Sequence, residues 1–221
     1  MPIKHNFGDK SFVLDYRTMP DNYIFMKQVH EANVLVVDSL EEAKEIQPHS
    51  VAVDATVTKA KGVVLCVLTA DCATIVVEDT ENEVVAAIHA GWKSAAKGVI
   101  ENAISEMVKL GADVNNMKAY IGPCLSQESF ECEDDMRQEF LKKDQSNDKF
   151  FEKKNDIKFL FDLKGFCLKD LNKLGVADVD VSDIDTYTND DWHSYRGFEA
   201  NNPDVAYEYG KYRNLTTVEI E

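Results

Sequence analysis

Short apolar segments separated by polar turn residues are the most regular feature of the chain. Three of them, Val63 to Leu68, Ala73 to Val77 and Val84 to Ile88, follow one another closely. Apolar runs of about four to eight residues between turn signals are typical of buried strands. The pattern therefore predicts three connected strands, with Cys72 at the start of the second and His89 at the end of the third.

Helical periodicity occurs in fewer places. Between Ser94 and Leu110, apolar residues recur every three or four positions, and Gly111 follows as a C-terminal stop. This pattern predicts one long helix whose first turn lies beside His89, where exposed N–H groups would form an anion pocket. Further helices are predicted over Leu40 to Ile46 (capped by Ser39), over Glu133 to Lys142, and from Asp162 to Gly175.

Strands outnumber helices and come in clusters rather than in strict alternation with them. We therefore predict an α+β fold in which mixed β-sheets are flanked by helices, built as one domain over residues 1–221. Two polar segments, Lys143 to Asn155 and Ser182 to Pro203, are predicted to be loops. The other predicted strands are Ser11 to Asp15, Tyr23 to Lys27, Asn33 to Val37, Val51 to Thr58, Met117 to Ile121, Phe159 to Phe161, Val179 to Val181 and Leu215 to Ile220.

Charge and composition narrow the class of protein. The formal net charge of -16 argues against nucleic acid as a partner, because a phosphate-binding surface needs clustered Lys and Arg. No apolar run reaches transmembrane length, so no membrane partner is expected. The first ten residues lack the apolar region of a signal peptide. The five cysteines are an odd number and do not suggest a disulfide framework. A cytoplasmic protein is the expectation.

Three residues of ligand type are predicted to converge at one edge of a sheet: His30, Cys72 and His89. Two imidazoles and one thiolate leave a fourth position open, which is the pattern of catalytic zinc. Water bound there would titrate near neutrality and become a nucleophile. A second interpretation is a metal-free pair with Cys72 as nucleophile and His89 as base. A third is that the histidines cap strands and the thiol is buried; the spacing alone does not separate the three.

Other residues near these segments are candidates for supporting roles. Asp71 and Asp54 are candidates to orient a ligand imidazole, or to serve as a turn cap and a polar strand position. Lys93 and Arg196 are candidates to hold phosphate or a carboxylate, although most such side chains are simply solvated. Trp92 is a candidate to stack on a flat ring or to pack in the core. The remaining candidate is a pocket-lining or packed thiol, Cys124.

Taken together and in order, the short motifs resemble the laccase-domain proteins, also called the multicopper polyphenol oxidase family and linked to purine nucleoside phosphorylase activity. The resemblance covers residues 23–220. The motifs are Gln28-Val29-His30, Asp54-Ala55 with Val57-Thr58, Thr69-Ala70-Asp71-Cys72, His89-Ala90-Gly91-Trp92-Lys93, Ile121-Gly122-Pro123-Cys124, Phe130-Glu131 and Ser194-Tyr195-Arg196.

The resemblance implies a metal, zinc or alternatively copper, bound by His30, Cys72 and His89. It implies a layered α-β-β-α sandwich similar to the catalytic domain of the cytotoxic necrotizing factor toxins, which use a Cys–His pair. It also implies phosphorolysis of adenosine, inosine, guanosine and methylthioadenosine, and deamination of adenosine by attack of metal-bound hydroxide at C6. Purine nucleoside and phosphate would then be the partners, with Lys93 and Arg196 orienting phosphate.

The family is also associated with activities other than purine nucleoside chemistry. Some members are described as oxidising phenols with copper, and a role in correcting peptidoglycan precursors has been proposed for bacterial members. A true laccase needs more histidine ligands than the five this chain contains. A Cys–His hydrolase or amidase acting on a cell-wall precursor is the main alternative to the purine nucleoside enzyme.

Several positions depart from the family pattern. The N-terminal segment before the first motif is shortened. Glu31 replaces a glycine, Lys93 an arginine, Asp185 a cysteine, and Gly197 the second arginine of the SYRR run. Lysine does not bind bidentately as arginine does. The three ligands are intact while parts implied in substrate binding are altered, so the metal is better supported than the substrate.

Overall fold

The computed structural model describes residues 2–12, 18–208 and 211–221, and most of the strand predicted over Ser11 to Asp15 lies outside them. The strands are β1 (Ile3–Phe7), β2 (Tyr23–Phe25), β3 (Val34–Val37), β4 (Ala55–Thr58), β5 (Val64–Thr69), β6 (Ala73–Asp79), β7 (Val84–Ala90), β8 (Met117–Ile121), β9 (Glu131–Glu133), β10 (Phe151–Lys153), β11 (Lys158–Phe161), β12 (Asp178–Val181) and β13 (Asn214–Ile220). The helices are α1 (Leu40–Glu45), α2 (Trp92–Lys97), α3 (Val99–Lys109), α4 (Asp134–Lys143), α5 (Leu163–Lys173) and α6 (Tyr195–Asn201).

The strands form three sheets of mixed direction. A six-stranded sheet has the order β12-β8-β6-β7-β4-β3, a four-stranded sheet the order β1-β13-β5-β2, and a three-stranded sheet the order β10-β11-β9. The pairs β3–β4, β8–β12 and β2–β5 are parallel, while the other pairs are antiparallel. The predicted α+β class with mixed sheets and flanking helices is confirmed.

The six-stranded sheet is buried on both faces. Ile75 and Val77 of β6 lie in a core with the apolar side of α3, whereas Val76 lies in a second core with Leu65 and Val67 of the four-stranded sheet. Side chains alternate between the faces of a strand, so one continuous apolar run can serve two layers. This double burial explains why β6 and β7 appear in the sequence as unbroken apolar segments.

The long helix predicted from Ser94 to Leu110 is wrong as a single element. It is two helices, because Gly98 has a φ of 93° and both ends α2 and begins α3. A left-handed residue interrupts a helix, and glycine adopts that conformation without steric cost. The side-chain periodicity continues across the break, which is why the pattern did not reveal it. The anion pocket expected at the helix start thus rests on a helix of only six residues.

Two of the predicted loops contain regular structure. The segment from Lys143 to Asn155 holds a 3₁₀ helix (Gln145–Phe150) and β10, because Phe150 and Phe151 are buried against other phenylalanines. The segment from Ser182 to Pro203 contains α6, which Ser194 caps by accepting a hydrogen bond from the Gly197 N–H. In the first segment two buried aromatic rings outweigh a polar composition, whereas in the second the Ser194 cap supports a helix without buried residues.

The chain crosses between the two larger sheets at two turns that carry candidate residues. Residues 26–33 lead from β2 to β3 and contain His30. Residues 70–72, here named the Cys72 turn, lead from β5 to β6. His89 lies near the end of β7, where the β6–β7 pairing places it opposite Thr74. The hairpin and the two crossings therefore bring the three residues to one place.

No helix in the described part of the chain combines the length and the apolar character needed to traverse a lipid bilayer.

Candidate active site

His30, Cys72 and His89 form one compact cluster. One ligand-type atom from each lies within 4.8 Å of the others. The Sγ atom of Cys72 is 3.9 Å from Nε2 of His30, and the two imidazole rings meet edge to face with centroids 4.9 Å apart. His89 is buried, Cys72 is half-buried and His30 lies closest to solvent. The cluster is therefore buried at His89 and accessible to solvent at His30.

The carboxylate of Asp54 fixes both histidines. Its Oδ1 atom is 2.7 Å from Nδ1 of His89, so the Nε2 atom of that ring is left for the cluster. The same carboxylate accepts hydrogen bonds from the backbone N–H groups of Val29, His30 and Glu31 at 3.2, 2.9 and 2.8 Å. Asp54 is fully buried. Because all four groups meet one rigid carboxylate, the loop that carries His30 is held in register with β7.

Two residues of the cluster region have backbone conformations that L-residues seldom adopt. The φ of His30 is 60° and that of Asp71 is 90°. Such conformations cost about 1–3 kcal/mol each and persist where surrounding contacts enforce them. Here the bonds from Asp54 enforce the first, and bonds to the Asp71 side chain enforce the second. Stored strain of this kind is common at functional sites.

Charge is arranged to favour a thiolate. Burial acts to raise the pKa of Cys72, but the positive charge of His89 and hydrogen bonds from both imidazoles outweigh burial and lower that pKa to about 6. Burial acts in the opposite direction on His89, where the Cys72 thiolate and Asp54 raise the pKa to about 9. Burial likewise opposes the lowered pKa of Asp54, which the His89 bond and the backbone N–H bonds bring about. The metal-free cluster is therefore an ion pair backed by a carboxylate.

Gly91 packs closely against the cluster. Its φ of -66° is one that any residue adopts, so glycine is not needed there for backbone conformation. A Cβ atom at this position would lie 3.0 Å from Sγ of Cys72 and 2.9 Å from Cδ2 of His30. The contact with His30 is shorter than real Cβ atoms show, so one of the side chains would have to move. The absence of a side chain therefore lets the Gly91 backbone approach His30 and Cys72.

Asp71 was predicted either to orient a ligand imidazole or to cap a turn. Its hydrogen bonds among the described residues go to Thr186 and Arg196 and not to an imidazole. Its Oδ1 accepts from Oγ1 of Thr186 at 2.8 Å, and its Oδ2 accepts from the backbone N–H of Arg196 at 2.7 Å. Burial raises the pKa of this carboxyl, against the opposing effect of these bonds. Asp71 therefore joins the Cys72 turn to Thr186 and to the first turn of α6, as a turn-capping residue does.

The candidate anion-binding residues differ in what they contact. The guanidinium of Arg196 donates to the carbonyls of Ser129 and Glu131 at 2.7 and 2.8 Å. Both of its terminal nitrogens are therefore bound to the backbone. Lys93 is exposed in the first turn of α2, with its Nζ 5.3 Å from the centre of the Trp92 ring. Of the two predicted phosphate-binding residues, Lys93 is the one whose charge faces solvent.

The two remaining predicted residues are packed. Trp92 is half-buried against the core shared by α3 and the six-stranded sheet. Cys124 is fully buried, and burial raises its pKa to about 12. Cys124 therefore follows the packed-thiol interpretation rather than the pocket-lining one.

The positions that depart from the family pattern have structural partners of their own. Glu31 forms an exposed ion pair with Lys97 of α2. Asp185 accepts a hydrogen bond from the Ser129 hydroxyl at 2.5 Å. Gly197 donates its N–H within the first turn of α6. These residues join segments around the site and do not enter the cluster.

Sequence reasoning missed two contributors, Gly91 and Thr186. Gly91 could have been found from its position two residues after His89, because its backbone conformation there does not require a glycine. Thr186 gave no signal, because its partner Asp71 is 115 residues away in sequence.

The donor set fits a metal ion. Zinc bonds of about 2.0–2.1 Å to nitrogen and about 2.3 Å to sulfur require only a small contraction of a cluster whose ligand atoms lie within 4.8 Å of one another. The thiolate is the favoured form of Cys72, and the Asp54 bond to Nδ1 is the support that metal-binding histidines usually have. Three protein ligands leave the fourth position of a tetrahedral zinc ion for a further ligand. The same two imidazoles and one thiolate also suit copper.

Comparison with known proteins gives a consistent picture. The sequence profile of the multi-copper polyphenol oxidoreductase laccase family matches residues 9–207. Purine nucleoside phosphorylase RP494 of Rickettsia prowazekii is 33% identical over 172 residues, covering 75% of this chain and 66% of that protein. Purine nucleoside phosphorylase Cgl2154/cg2365 of Corynebacterium glutamicum is 31% identical over 177 residues, covering 80% and 70%. Adenosine deaminase RL5, from an unknown prokaryotic organism, is 35% identical over 125 residues, covering 55% and 48%.

The matched region thus spans about two thirds of the Rickettsia protein and about half of the deaminase. Among solved structures, Neisseria meningitidis protein NMB0706 is 28% identical with a TM-score of 0.75, covering 90% of this chain and 75% of that one. The hypothetical protein YfiH of Bacillus licheniformis has a TM-score of 0.79 at 21% identity, covering 91% and 75%, and so supports the fold alone.

Proposed function

Because this chain belongs to the multi-copper polyphenol oxidoreductase laccase family, as its motifs predicted, we propose that it is a metal-dependent purine nucleoside enzyme. It would catalyse phosphorolysis of adenosine, inosine, guanosine and methylthioadenosine, and hydrolytic deamination of adenosine. The observation that carries the proposal is the cluster of His30, Cys72 and His89, which is buried at His89 and exposed at His30. The names of the relatives supply the substrate class.

The chain's own residues would prepare the metal position. His30 Nε2, the Cys72 thiolate and His89 Nε2 would be the ligands. Asp54 would keep the proton of the His89 ring on Nδ1, so that the other nitrogen presents a lone pair. A bound metal would supply Lewis-acid activation of water or of a substrate oxygen. We propose zinc, and copper is the alternative that the same donors allow.

Substrate would approach from the side of His30, the most exposed of the three cluster residues. In phosphorolysis, a phosphate oxygen forms a bond to ribose C1′ as the bond from C1′ to purine N9 breaks. Lys93, exposed at the start of α2, would attract the phosphate. In deamination, water adds at purine C6 and ammonia leaves. Arg196 would act on the substrate only through the turns it holds, because its guanidinium is bound to two carbonyls.

One specific observation favours a second function. Cys72, His89 and Asp54 have the order of a nucleophile, a base and a carboxylate that orients the base, and the pKa of Cys72 is lowered to about 6. Without metal, the same residues would form a Cys–His hydrolase or amidase, with a cell-wall precursor as its substrate class.

Metal content separates the two functions. The experiment measures zinc and copper per chain in the wild-type protein, in Cys72→Ser and in the control Cys132→Ser, whose thiol is buried outside the cluster. About one metal per chain in the wild type and the control, lost in Cys72→Ser, together with release of free base from adenosine only when phosphate is present, supports the phosphorylase. If the protein instead contained copper and oxidised phenols, the copper-dependent phenol oxidase would be the function. Absence of metal after reconstitution, with rapid alkylation of Cys72, would replace it by the hydrolase.

A further inference from the structure

Two side-chain amides hold the two ends of the parallel strand pair β2–β5. At the start of β5, away from the Cys72 turn, the amide of Asn22 donates to the carbonyl of Gly62 at 2.6 Å. Near the end of β5, the amide of Gln28 donates to the carbonyl of Leu68 at 2.8 Å and accepts from the N–H of the same residue at 2.9 Å. Gln28 belongs to the motif that contains His30, but the cluster chemistry gives it no role.

The side chain of Gln28 takes the place of a strand residue. The pairing of β2 with β5 ends at Phe25 opposite Cys66, and the chain then leaves for the six-stranded sheet. A carboxamide carries both a donor and an acceptor, as a peptide group does. Gln28 therefore satisfies the N–H and the carbonyl of Leu68, two groups that a backbone partner would otherwise have to bind.

The loop of residues 26–33 is consequently held from two sides. The carboxylate of Asp54 accepts the backbone N–H groups around His30, which ties the loop to the start of β4. The bonds of Gln28 tie the same loop to β5. The Cys72 turn begins two residues after Leu68. A short path of bonded groups thus runs from one candidate ligand, through Gln28, to the turn that carries another.

The separation at the ends of this path is close to what a metal needs. Nε2 of His30 lies 3.9 Å from Sγ of Cys72. Tetrahedral zinc, with bonds of about 2.0–2.1 Å to nitrogen and about 2.3 Å to sulfur, would set these two atoms about 3.6 Å apart. Metal sites bind tightly when supporting contacts hold the ligands within about 0.5 Å of the required geometry. A contact that fixes this distance therefore affects both the affinity for a metal and its coordination geometry.

We propose that Gln28 is a positioning residue of the candidate metal site. Its two bonds to Leu68 fix the separation of His30 from Cys72, as Asp54 fixes His30 relative to His89. The inference rests on the proposed function, because it concerns the metal site proposed there. It assigns Gln28 no contact with the metal or with the substrate.

The test compares Gln28→Met with Asn22→Leu. Gln28→Met keeps the length of the side chain and removes both bonds to Leu68. Its zinc affinity, measured by competition with a chelator, should fall about tenfold or more, as in other sites that lose a supporting contact. Asn22→Leu is the matched control, because Asn22 is also half-buried and holds the other end of the same strand pair. It should keep the wild-type affinity.

Cobalt provides a readout that a loss of stability alone would not change. The absorption bands of bound Co²⁺ report the geometry of its ligands, so they should change in Gln28→Met and remain as in the wild type in Asn22→Leu. If Gln28→Met does not fold, Gln28→Asn replaces it. That variant keeps the amide but is shorter by one carbon, so it should also change the cobalt spectrum. Wild-type affinity and spectrum in the Gln28 variant, or equal changes at the two positions, would overturn the proposal.

The two proposals fail separately. Metal binding and nucleoside turnover in the wild type, with no specific effect of the Gln28 variant, would remove the role of Gln28 and keep the proposed function. A wild type that binds no metal would remove the proposed function. The position of His30 is then read from nuclear Overhauser effects between its ring and the β-protons of Cys72 in metal-free protein. These should be lost in Gln28→Met and kept in Asn22→Leu, and their persistence in Gln28→Met would overturn the role of Gln28.

Discussion

Oδ1 of Asp54 lies 2.7 Å from Nδ1 of His89, and the same carboxylate accepts three backbone N–H bonds from the loop that carries His30. One buried side chain thus positions two of the three candidate ligands. This relationship decides which substitutions should affect the metal site and which should affect only the fold.

Asp54→Asn should weaken metal binding by about 10–100-fold, the usual effect of removing a partner of a metal-binding histidine. The amide keeps the volume of the carboxylate but loses its charge and presents donors to backbone N–H groups. The measurement is metal affinity by competition with a chelator. Asp170→Asn is the control, because Asp170 is equally buried and pairs with Lys169 away from the cluster. Equal losses in the two variants would contradict a specific role for Asp54.

Gly91→Ala should lower metal affinity, because the added methyl group would displace the His30 ring or the Cys72 thiol, while the φ of -66° adds no backbone strain. The added methyl group would lie against Cys72 and His30.

Gly111→Ala should have the opposite effects, with lower stability and unchanged metal affinity. Its Cβ would meet nothing within 4 Å, but its φ of 104° is left-handed, which costs about 1–2 kcal/mol for an L-residue. Thermal unfolding and chelator competition should therefore separate the two variants. A Gly91→Ala protein with wild-type affinity would show that the cluster tolerates a side chain at this position.

In metal-free protein, alkylation of Cys72 by iodoacetamide should have a pH midpoint near 6, where its lowered pKa lies. The thiolate is the reactive form, so the rate should be high at pH 7 and fall as pH drops through 6. An ordinary thiol would instead lose reactivity below about pH 8.5. Mass spectrometry of the labelled protein assigns the site. The control is Cys124, whose pKa is raised to about 12 by burial, and it should remain unlabelled in the folded protein.

Arg196→Gln should destabilise the fold by about 1–3 kcal/mol, because the guanidinium donates to two backbone carbonyls. The KM for phosphate should stay unchanged once activity is corrected for the folded fraction. Arg137→Gln is the control, because it removes surface ion pairs and a contact with the Phe159 ring but no hydrogen bond to a backbone carbonyl, and it should cost less than Arg196→Gln. A raised phosphate KM in a fully folded Arg196→Gln protein would show that Arg196 contacts the substrate.

Lys93→Met should raise the KM for phosphate, since the ammonium faces solvent at the start of α2. Lys97→Met, one helical turn further along α2 and paired with Glu31, is its matched control. Steady-state kinetics with varied phosphate and fixed adenosine measures both. An equal change in the two variants would indicate a general charge effect rather than binding at Lys93.

The sequence revealed β5, β6 and β7, because buried strands leave unbroken apolar runs, and it placed Cys72 and His89 at the ends of β6 and β7. His30 lies in the loop of residues 26–33, so its place in the cluster was indicated by the ordered motifs and not by an apolar run. The sequence did not reveal the break at Gly98, since side-chain periodicity carries no information on a single positive φ. Nor did it reveal that Arg196 is bound to Ser129 and Glu131, or that Thr186 bonds to Asp71. Those contacts join residues 65 or more positions apart, and only the folded chain brings them together.

His30 and the Cys72 turn both lie where the chain passes from the four-stranded to the six-stranded sheet. The cluster is therefore complete only when both sheets have formed and docked. Strands that are far apart in sequence pair slowly, because the chain loses the entropy of closing the intervening loop before the new contacts stabilise it. During refolding, the capacity to capture a metal should consequently arise in the last kinetic phase, after most of the secondary structure has appeared, and a bound ion would act as a latch that slows the separation of the two sheets.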